Sequence, residues 1–307
     1  MTALILEQLL NGLQLGVLLF LIAAGLTLIF GVMDFINLSH GSLFMLGAYF
    51  AVLFQGLTGS FFLAVTLAGL GVCVVGLIFE LLLVRRLYHR SHLDHVLVTY
   101  GLILVANESV AILWGATPIF SGLPESLSTL VALPFGISYP VYRLLVIGVG
   151  IVVAAVLFWL VKYTRIGMRV RAGATNRAVV SVMGVNISLL FTLVFGFGAF
   201  LAGLAGALAG PLLSVQPGMG ETVLILSFVV VVIGGLGSIK GALLAAIIVG
   251  LIDTMGRAFL RDFLSAFLSA RVASEAGPAL ASMLVYILMA LILFFRPEGL
   301  LPMQKRS

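Results

Sequence analysis

Residues 188–210 read SLLFTLVFGFGAFLAGLAGALAG, a run of 23 residues without one charged side chain. As a helix this run would be about 34 Å long, enough to cross a hydrocarbon core of roughly 30 Å. Small residues recur at every fourth position in it, which lets another helix approach closely in lipid. The stretch therefore predicts a tightly packed transmembrane helix, and its spacing favours packing within one subunit over a contact between subunits. The two rows of small residues are Ala202, Gly206, Gly210 and Ala199, Gly203, Ala207.

The composition of the whole chain agrees with this prediction. Its 307 residues are 62% hydrophobic and 9% charged, whereas soluble domains are roughly half apolar and a quarter charged. The net charge of +5 comes from basic residues beside apolar runs, which does not favour nucleic-acid binding. Cys73 is the single cysteine of the sequence, which excludes a disulfide or a cysteine metal site within the chain.

Apolar runs of similar character recur along the chain. Most approach the length of a full span, but the two at 222–234 and 241–256 are shorter and flank a glycine-rich break. We predict an all-α, polytopic membrane protein with about 8 to 10 transmembrane helices, two of them short or interrupted, forming a single transmembrane domain over residues 1–307. The other runs are 8–32, 40–57, 60–84, 96–115, 140–161, 188–210 and 278–295.

Basic residues in the short loops indicate the side of the membrane that each loop faces. Arg85, Arg86 and Arg90 follow the third run, and five basic residues lie between Lys162 and Arg177 after the fifth. Both loops are therefore predicted to be cytoplasmic. Counting nine crossings then places the N-terminus outside and the C-terminus inside.

Two breaks interrupt the apolar pattern, at Asn37–Ser42 and at Gly234–Gly241. Each leads into a helix of small residues, which hints at an internal repeat that pairs 37–51 with 235–250. Backbone groups freed at membrane depth must be buried in protein or line a wet cavity. The breaks are therefore either walls of a translocation pathway or turns near the interface. The pathway candidates are Asn37, Ser39, His40, Gly41, Ser42, Gly234, Gly235, Gly237 and Ser238.

Charged and polar side chains inside the runs give one further candidate. Glu108 lies in the fourth run, where a carboxylate is costly unless it faces polar surroundings, so it is a pathway candidate. Glu80 is near Arg85 and can pair with it. The sequence lacks a phosphate-binding loop, a nucleophile elbow and an H-E-x-x-H zinc motif, and it predicts neither an enzyme nor a metal or cofactor site.

Five fragments follow one another along the chain: FINLSHG at 35–41, TRIGMR at 164–169, AGLAG at 202–206, GGLGS at 234–238 and FRPEGL at 295–300. In this order and spacing they resemble the permease subunits of bacterial high-affinity ATP-binding cassette importers for branched-chain amino acids. The resemblance covers nearly the whole chain. It implies a many-span importer permease of the bacterial inner membrane that moves branched-chain or other small amino acids.

The resemblance also implies partners. These are a second permease, identical or different, two cytoplasmic ATP-binding subunits that hold ATP and Mg²⁺, an extracytoplasmic substrate-binding protein and membrane lipid. The chain itself would bind no cofactor and catalyse no reaction.

The basic loop at about 162–187 matches the ATPase-coupling segment of that family. Family members often carry Glu-Ala-Ala where this chain has Ala178, Val179 and Val180. The acidic contact is therefore missing, whereas the arginines can form charge-assisted bonds with an ATPase or, alternatively, with lipid headgroups. The resemblance implies a short helix around 176–183 and the following coupling residues: Arg165, Gly167, Arg169, Arg171, Asn176, Arg177 and Gly184.

Three alternative functions remain open from the sequence. Urea and short amides are handled by closely similar permeases. An ion-coupled secondary transporter would use Glu108 as its proton or ion site and would transport without an ATPase. A structural membrane scaffold would tolerate changes to the pathway candidates.

Overall fold

The computed structural model describes residues 2–88, 90–175 and 177–302. Most of these residues are helical, as the sequence predicted. A small antiparallel hairpin, β1 (Leu130–Leu133) and β2 (Ile137–Pro140), lies between the fourth and sixth helices and places Leu130 opposite Pro140. The helices are α1 (Thr2–Met33), α2 (His40–Thr58), α3 (Phe61–Leu87), α4 (His92–Trp114), α5 (Glu125–Ser128), α6 (Val141–Tyr163), α7 (Arg165–Thr175), α8 (Arg177–Val182), α9 (Ile187–Ala209), α10 (Met219–Gly234), α11 (Ile239–Ser265) and α12 (Ala270–Phe295).

Eight helices in the described residues are long and apolar enough to cross a membrane, which confirms a polytopic all-α protein. The shorter apolar helix α10 has 16 residues and a length of about 24 Å. The run 241–256 does not form a second short helix, because α11 continues to Ser265. Asp253 and Arg257 pair at 2.8 Å one turn apart in α11, so their charges are compensated within the helix.

The first helix is the centre of the molecule. Its most apolar window is 83% buried, and α1 packs against α6, α9, α10 and α11. Glycines allow this close approach: a Cβ at Gly16 would lie 2.8 Å from the carbonyl oxygen of Ala246. The small-residue rows of α9 are likewise buried within the subunit, against α2 and α3, as the sequence favoured.

Helix packing reveals an inverted repeat. If α1, α2, α3 and α4 are matched in order with α9, α10, α11 and α12, equivalent pairs of helices are in contact. The contact of α1 with α11 matches that of α9 with α3, and the contact of α2 with α9 matches that of α10 with α1. The contact of α4 with α2 matches that of α12 with α10. With the sidedness predicted from the basic loops, each helix of the first half crosses the membrane in the opposite direction to its counterpart in the second half. The repeat therefore relates α1–α4 to α9–α12. The sequence predicted that the start of α2 corresponds to the start of α11. In the structure, α2 corresponds to α10 instead.

The N-terminus of α2 lies deep in the membrane region. After α1 the chain reverses at Asp34 (φ 52°) and returns along α4, where the Leu38 N–H donates to Thr99 Oγ1 at 3.2 Å. Helix α2 then begins at His40, whose Nε2 lies 3.2 Å from the carbonyl oxygen of Ile22. Ile22 precedes the end of α1 at Met33 by 11 residues, or about 16 Å of helix. This position corresponds to roughly half the thickness of a bilayer.

Candidate functional site

The break between α1 and α2 is buried inside the subunit. Asn37, Ser39, His40 and Ser42 are each at most 5% exposed, and Ser39 Oγ donates to Asn37 Oδ1 at 2.7 Å. Asn37 Nδ2 and His40 Nδ1 have no hydrogen-bond partner within the described parts of the chain. Such buried polar groups normally bind water or another ligand. Their place in a pathway remains a prediction.

The start of α2 meets the start of α10 at this depth. A Cβ at Gly41 would overlap the Gly220 carbonyl oxygen, and a Cβ at Gly220 would overlap the Gly41 carbonyl oxygen. Both residues are therefore held to glycine by backbone contact. Each helix carries partial positive charge at its N-terminus. The contact therefore brings two partially positive helix ends together near the middle of the membrane.

The second break lies elsewhere, at the C-terminal end of α1. A Cβ at Gly31 would lie 2.7 Å from the Cα of Gly237, and Gly235 and Gly237 have φ values of 99° and 79°. Ser238 caps α11 by accepting a hydrogen bond from the Gly241 N–H at 3.1 Å. The C-terminal segment covers Gly234, whose carbonyl oxygen accepts from the Leu301 N–H. The structure therefore does not bring the two breaks together.

Glu108 is exposed on α4, and its neighbour Asn107 connects α4 to the start of α10. The Asn107 amide donates to Glu221 Oε1 at 2.7 Å, while Asn107 Oδ1 accepts from the Gly218 N–H at 3.2 Å. Glu221 is exposed and was missed in the sequence analysis. Its position just after Gly220, at the polar edge of an apolar run, was the available signal.

Helix α7, the first helix of the predicted coupling segment, folds back on the end of α6. The Gly167 N–H donates to Thr164 Oγ1 at 3.0 Å, and a Cβ at Gly167 would overlap the Leu160 carbonyl oxygen. Glycine at this position therefore allows the tight turn between α6 and α7. Arg165, Arg169 and Arg171 are exposed, and the Arg171 guanidinium donates to the Val161 carbonyl oxygen.

Helix α8, the second helix of the predicted coupling segment, ends in an exposed apolar tip. Helix α8 begins at Arg177 and ends at Val182, within the helix predicted for 176–183, whereas Asn176 lies outside the described residues. Gly184 stops the helix with φ 82°. Just before it, Val182 and Met183 are 89% and 76% exposed. Two apolar residues in a basic loop were the signal for this tip, and neither is among the predicted coupling residues.

Glu80 connects the C-terminal end of α3 to the N-terminal end of α9. Its side chain is fully buried and lies 3.4 Å from Arg85 Nε, which confirms the predicted pair. Thr192 on α9 donates to Glu80 Oε2 at 2.8 Å, and the Tyr88 hydroxyl donates to Oε1. Burial and the adjacent Glu80 carboxylate hold the pKa of Tyr88 well above its usual range, so Tyr88 stays protonated as a donor. The π-helical turn Glu80–Val84 lies within this network.

Comparisons with known proteins identify the family. The model of the family described as "Branched-chain amino acid transport system / permease component" matches residues 8–293. The permease protein BraD of a high-affinity branched-chain amino acid transport system in Pseudomonas aeruginosa is 27% identical over 308 residues, covering 96% of this chain and 95% of BraD. No solved structure matches the chain.

Two further relatives extend the comparison. The permease LivH of the high-affinity branched-chain amino acid transport system in Escherichia coli K12 is 27% identical, covering 83% of this chain and 87% of LivH. The ribose import permease RbsC of the same strain is 25% identical, covering 76% of this chain and 72% of RbsC. Together with its apolar helices, these matches show that the chain belongs to the family of branched-chain amino acid transport system permease components, multi-pass proteins of the bacterial inner membrane.

Proposed function

We propose that this chain is the transmembrane subunit of an ATP-driven importer that carries branched-chain or other small amino acids into the cell. The substrate class is supported by the named systems of BraD and LivH. The observation that carries the ATP-driven part is the exposed apolar tip Val182–Met183, held on the short helix α8 beside the exposed arginines of α7.

The tip and the arginines suit a protein partner. An exposed pair of apolar side chains is stabilised when a complementary groove covers it, and arginines around it can form charge-assisted bonds. Two cytoplasmic ATP-binding subunits, one on each permease of a pair, would supply such grooves and bind ATP and Mg²⁺. Closure of these subunits would then move α8 and α7 together. An extracytoplasmic binding protein would deliver the substrate from the other side.

The pathway is proposed to run along the exposed polar face of α4 and α10. Glu108 and Glu221 are exposed there at membrane depth, where a carboxylate facing lipid is costly. A second permease packed against this face would enclose both carboxylates in a polar passage. The substrate's ammonium group would then have an acceptor on the passage wall. Two sets of predicted pathway residues would lie near this passage. The first set would pack behind the passage wall: Asn37, Ser39, His40, Gly41 and Ser42. The second set would form the edge of the cytoplasmic exit: Gly234, Gly235, Gly237 and Ser238.

A charge placed on the apolar tip tests the coupling proposal. The Met183→Asp variant is expected to lose at least nine-tenths of the ATP-binding subunits that purify with the tagged wild-type chain, because the partner groove would bury an unpaired carboxylate. The Leu93→Asp variant is the matched control, since Leu93 is 66% exposed in the first turn of α4 and an acid there is compatible with the helix start. Subunits are identified by mass spectrometry of the purified complex.

Equal recovery of ATP-binding subunits with Met183→Asp would contradict docking at the tip. Recovery of the wild-type chain alone, with uptake into vesicles driven by an ion gradient, would overturn the ATP-driven proposal. It would then favour a secondary transporter that uses Glu108.

A neutral side chain at the pathway face tests the route. The Glu221→Gln variant is expected to lower amino acid uptake about tenfold, since a charge-assisted contact to an ammonium group contributes roughly 1.5 to 3 kcal/mol. Recovery of the ATP-binding subunits should stay unchanged. Uptake of labelled leucine into proteoliposomes with the complete transporter is the measurement. The matched control is Glu125→Gln in the short helix α5, whose uptake should equal that of wild type. Wild-type uptake by Glu221→Gln would remove Glu221 from the pathway.

A further inference from the structure

A cavity of about 360 Å³ lies where the cytoplasmic end of α1 meets α6, α7 and α11. Most of its wall is apolar, with Leu28, Phe158 and Val170 contributed by three different helices. Its volume is within the range of small-molecule sites, which are typically 300 to 1,000 Å³. Glu108 and Glu221 do not line the cavity, whereas Gly237 and Ser238, from the turn at the proposed cytoplasmic exit, do.

Three cations line the opening of this cavity. Lys162, Arg171 and Lys240 come from α6, α7 and α11, and all three are exposed. None of the residues that line the cavity is acidic. The ion pairs found in the described residues are Glu80–Arg85, Asp253–Arg257 and Arg271–Glu275, so these three cations are not neutralised by a carboxylate there. The opening therefore favours an anion.

Two further features of the wall suit a ligand that carries an anionic group and also has polar atoms deeper in the cavity. The Thr27 hydroxyl is completely buried, lines the cavity and has no hydrogen-bond partner within the described residues. A buried unpaired hydroxyl is unfavourable unless something binds it. The N-terminus of α11 also lies at the cavity, where Ser238, Ile239 and Lys240 line the wall, and the partial positive charge of a helix start attracts anions.

We propose that this cavity binds an acidic phospholipid of the cytoplasmic leaflet. The phosphate binds between Lys162, Arg171 and Lys240, and the first carbons of one acyl chain lie along the apolar wall. The Thr27 hydroxyl donates to an ester carbonyl oxygen of the lipid. A free amino acid is a poor occupant, because its ammonium group would face three cations without an acidic partner.

The occupant would also contact the coupling segment. Val170, Arg171 and Ala174 of α7 line the cavity, so a bound lipid holds α7 against α1 and α11. This regulatory consequence rests on the proposed role of α7 and α8 in coupling. The binding of lipid does not rest on that role. Lipid binding and the recovery of ATP-binding subunits are therefore measured separately.

The test uses the full chain purified into nanodiscs that contain phosphatidylcholine with a small fraction of phosphatidylglycerol. Lipid retained after mild delipidation is counted by native mass spectrometry. Each lysine is expected to contribute about fivefold to affinity, so Lys162→Ala/Lys240→Ala should retain roughly 25-fold less phosphatidylglycerol. Thr27→Val should retain severalfold less while its unfolding temperature without acidic lipid stays equal or rises, because it removes an unpaired hydroxyl. Arg86→Ala/Arg90→Ala is the matched control, since these exposed cytoplasmic arginines do not line the cavity.

Equal loss of phosphatidylglycerol in the arginine control would show general surface attraction and overturn the site. Displacement of phosphatidylglycerol by inorganic phosphate or hexanoate would assign the cavity to a free anion and also overturn the lipid proposal. The same preparations are assayed for bound ATP-binding subunits. If Lys162→Ala/Lys240→Ala loses the lipid but keeps the ATP-binding subunits, the lipid site is supported. If Met183→Asp fails to release the subunits, the coupling proposal fails and the lipid result is unaffected.

Discussion

The Gly206→Val chain is expected to yield less than a tenth of the wild-type amount of folded protein. A Cβ at position 206 would overlap the carbonyl oxygen of Phe44 and lie 3.1 Å from the amide nitrogen of Ala48. Both are backbone atoms of α2, so the clash cannot be relieved by a new side-chain rotamer. Overpacking against side chains commonly costs about 1 to 3 kcal/mol, and separation of two helix backbones should cost more. The measurement is the monodisperse peak in size-exclusion chromatography of detergent-solubilised membranes.

The Gly148→Val variant provides the control for this prediction. Gly148 also lies within a transmembrane helix, α6, and a Cβ there has no neighbouring atom within 4 Å. Both variants introduce the same β-branched residue into a helix, so they differ chiefly in the space around it. We expect Gly148→Val to retain most of the folded protein. Similar yields of the two variants would contradict the close packing of α9 on α2.

The Arg85→Ala chain is expected to lose roughly 2 to 3 kcal/mol of stability. Loss of one partner from a buried ion pair commonly costs 3 to 5 kcal/mol, and the expectation here is lower because the Arg85 side chain is 41% exposed. Arg85 also donates to Thr192 at 2.8 Å, so α3 and α9 lose a direct contact. The measurement is unfolding of the purified protein monitored at rising denaturant concentration.

Two variants separate the effect of the ion pair from a general loss of charge. Arg86→Ala removes the adjacent exposed arginine, and it should leave the unfolding midpoint unchanged. Glu80→Gln combined with Arg85→Ala should recover part of the lost stability, because no buried charge is left unpaired. A midpoint lowered equally by Arg85→Ala and Arg86→Ala would show that the Glu80 network is not responsible.

Much of the fold could be predicted from local sequence. The long uncharged runs specify the spanning helices, and the basic stretch at 162–187 separates two of them, because lipid excludes charge wherever the chain crosses. Gly184 was included among the coupling residues by resemblance, and its positive φ now explains the glycine. The small-residue rows of α9 predicted close packing that the structure confirms.

The remaining features depend on contacts between distant parts of the chain. That α10 rather than α11 meets α2 follows from the reciprocal contact of Gly41 and Gly220, which are 179 positions apart, 220 minus 41. A chain with 35 glycines gives no local sign of which pairs will touch. The bond between Asn107 and Glu221 is equally non-local. The neighbours of Glu221 in the sequence therefore gave no sign that it contacts Asn107, the residue next to Glu108.

The central position of α1 has a consequence for biosynthesis. This helix is synthesised well before α9, α10 and α11, which cover much of it. About 230 residues separate the end of α1 from the end of α11, so at 5 to 20 residues per second α1 waits roughly ten to fifty seconds for these neighbours. During that time the start of α2 lacks the contact between Gly41 and Gly220 that holds it against α10. The meeting of these two helix starts near the middle of the membrane can therefore form only after the second half has been inserted.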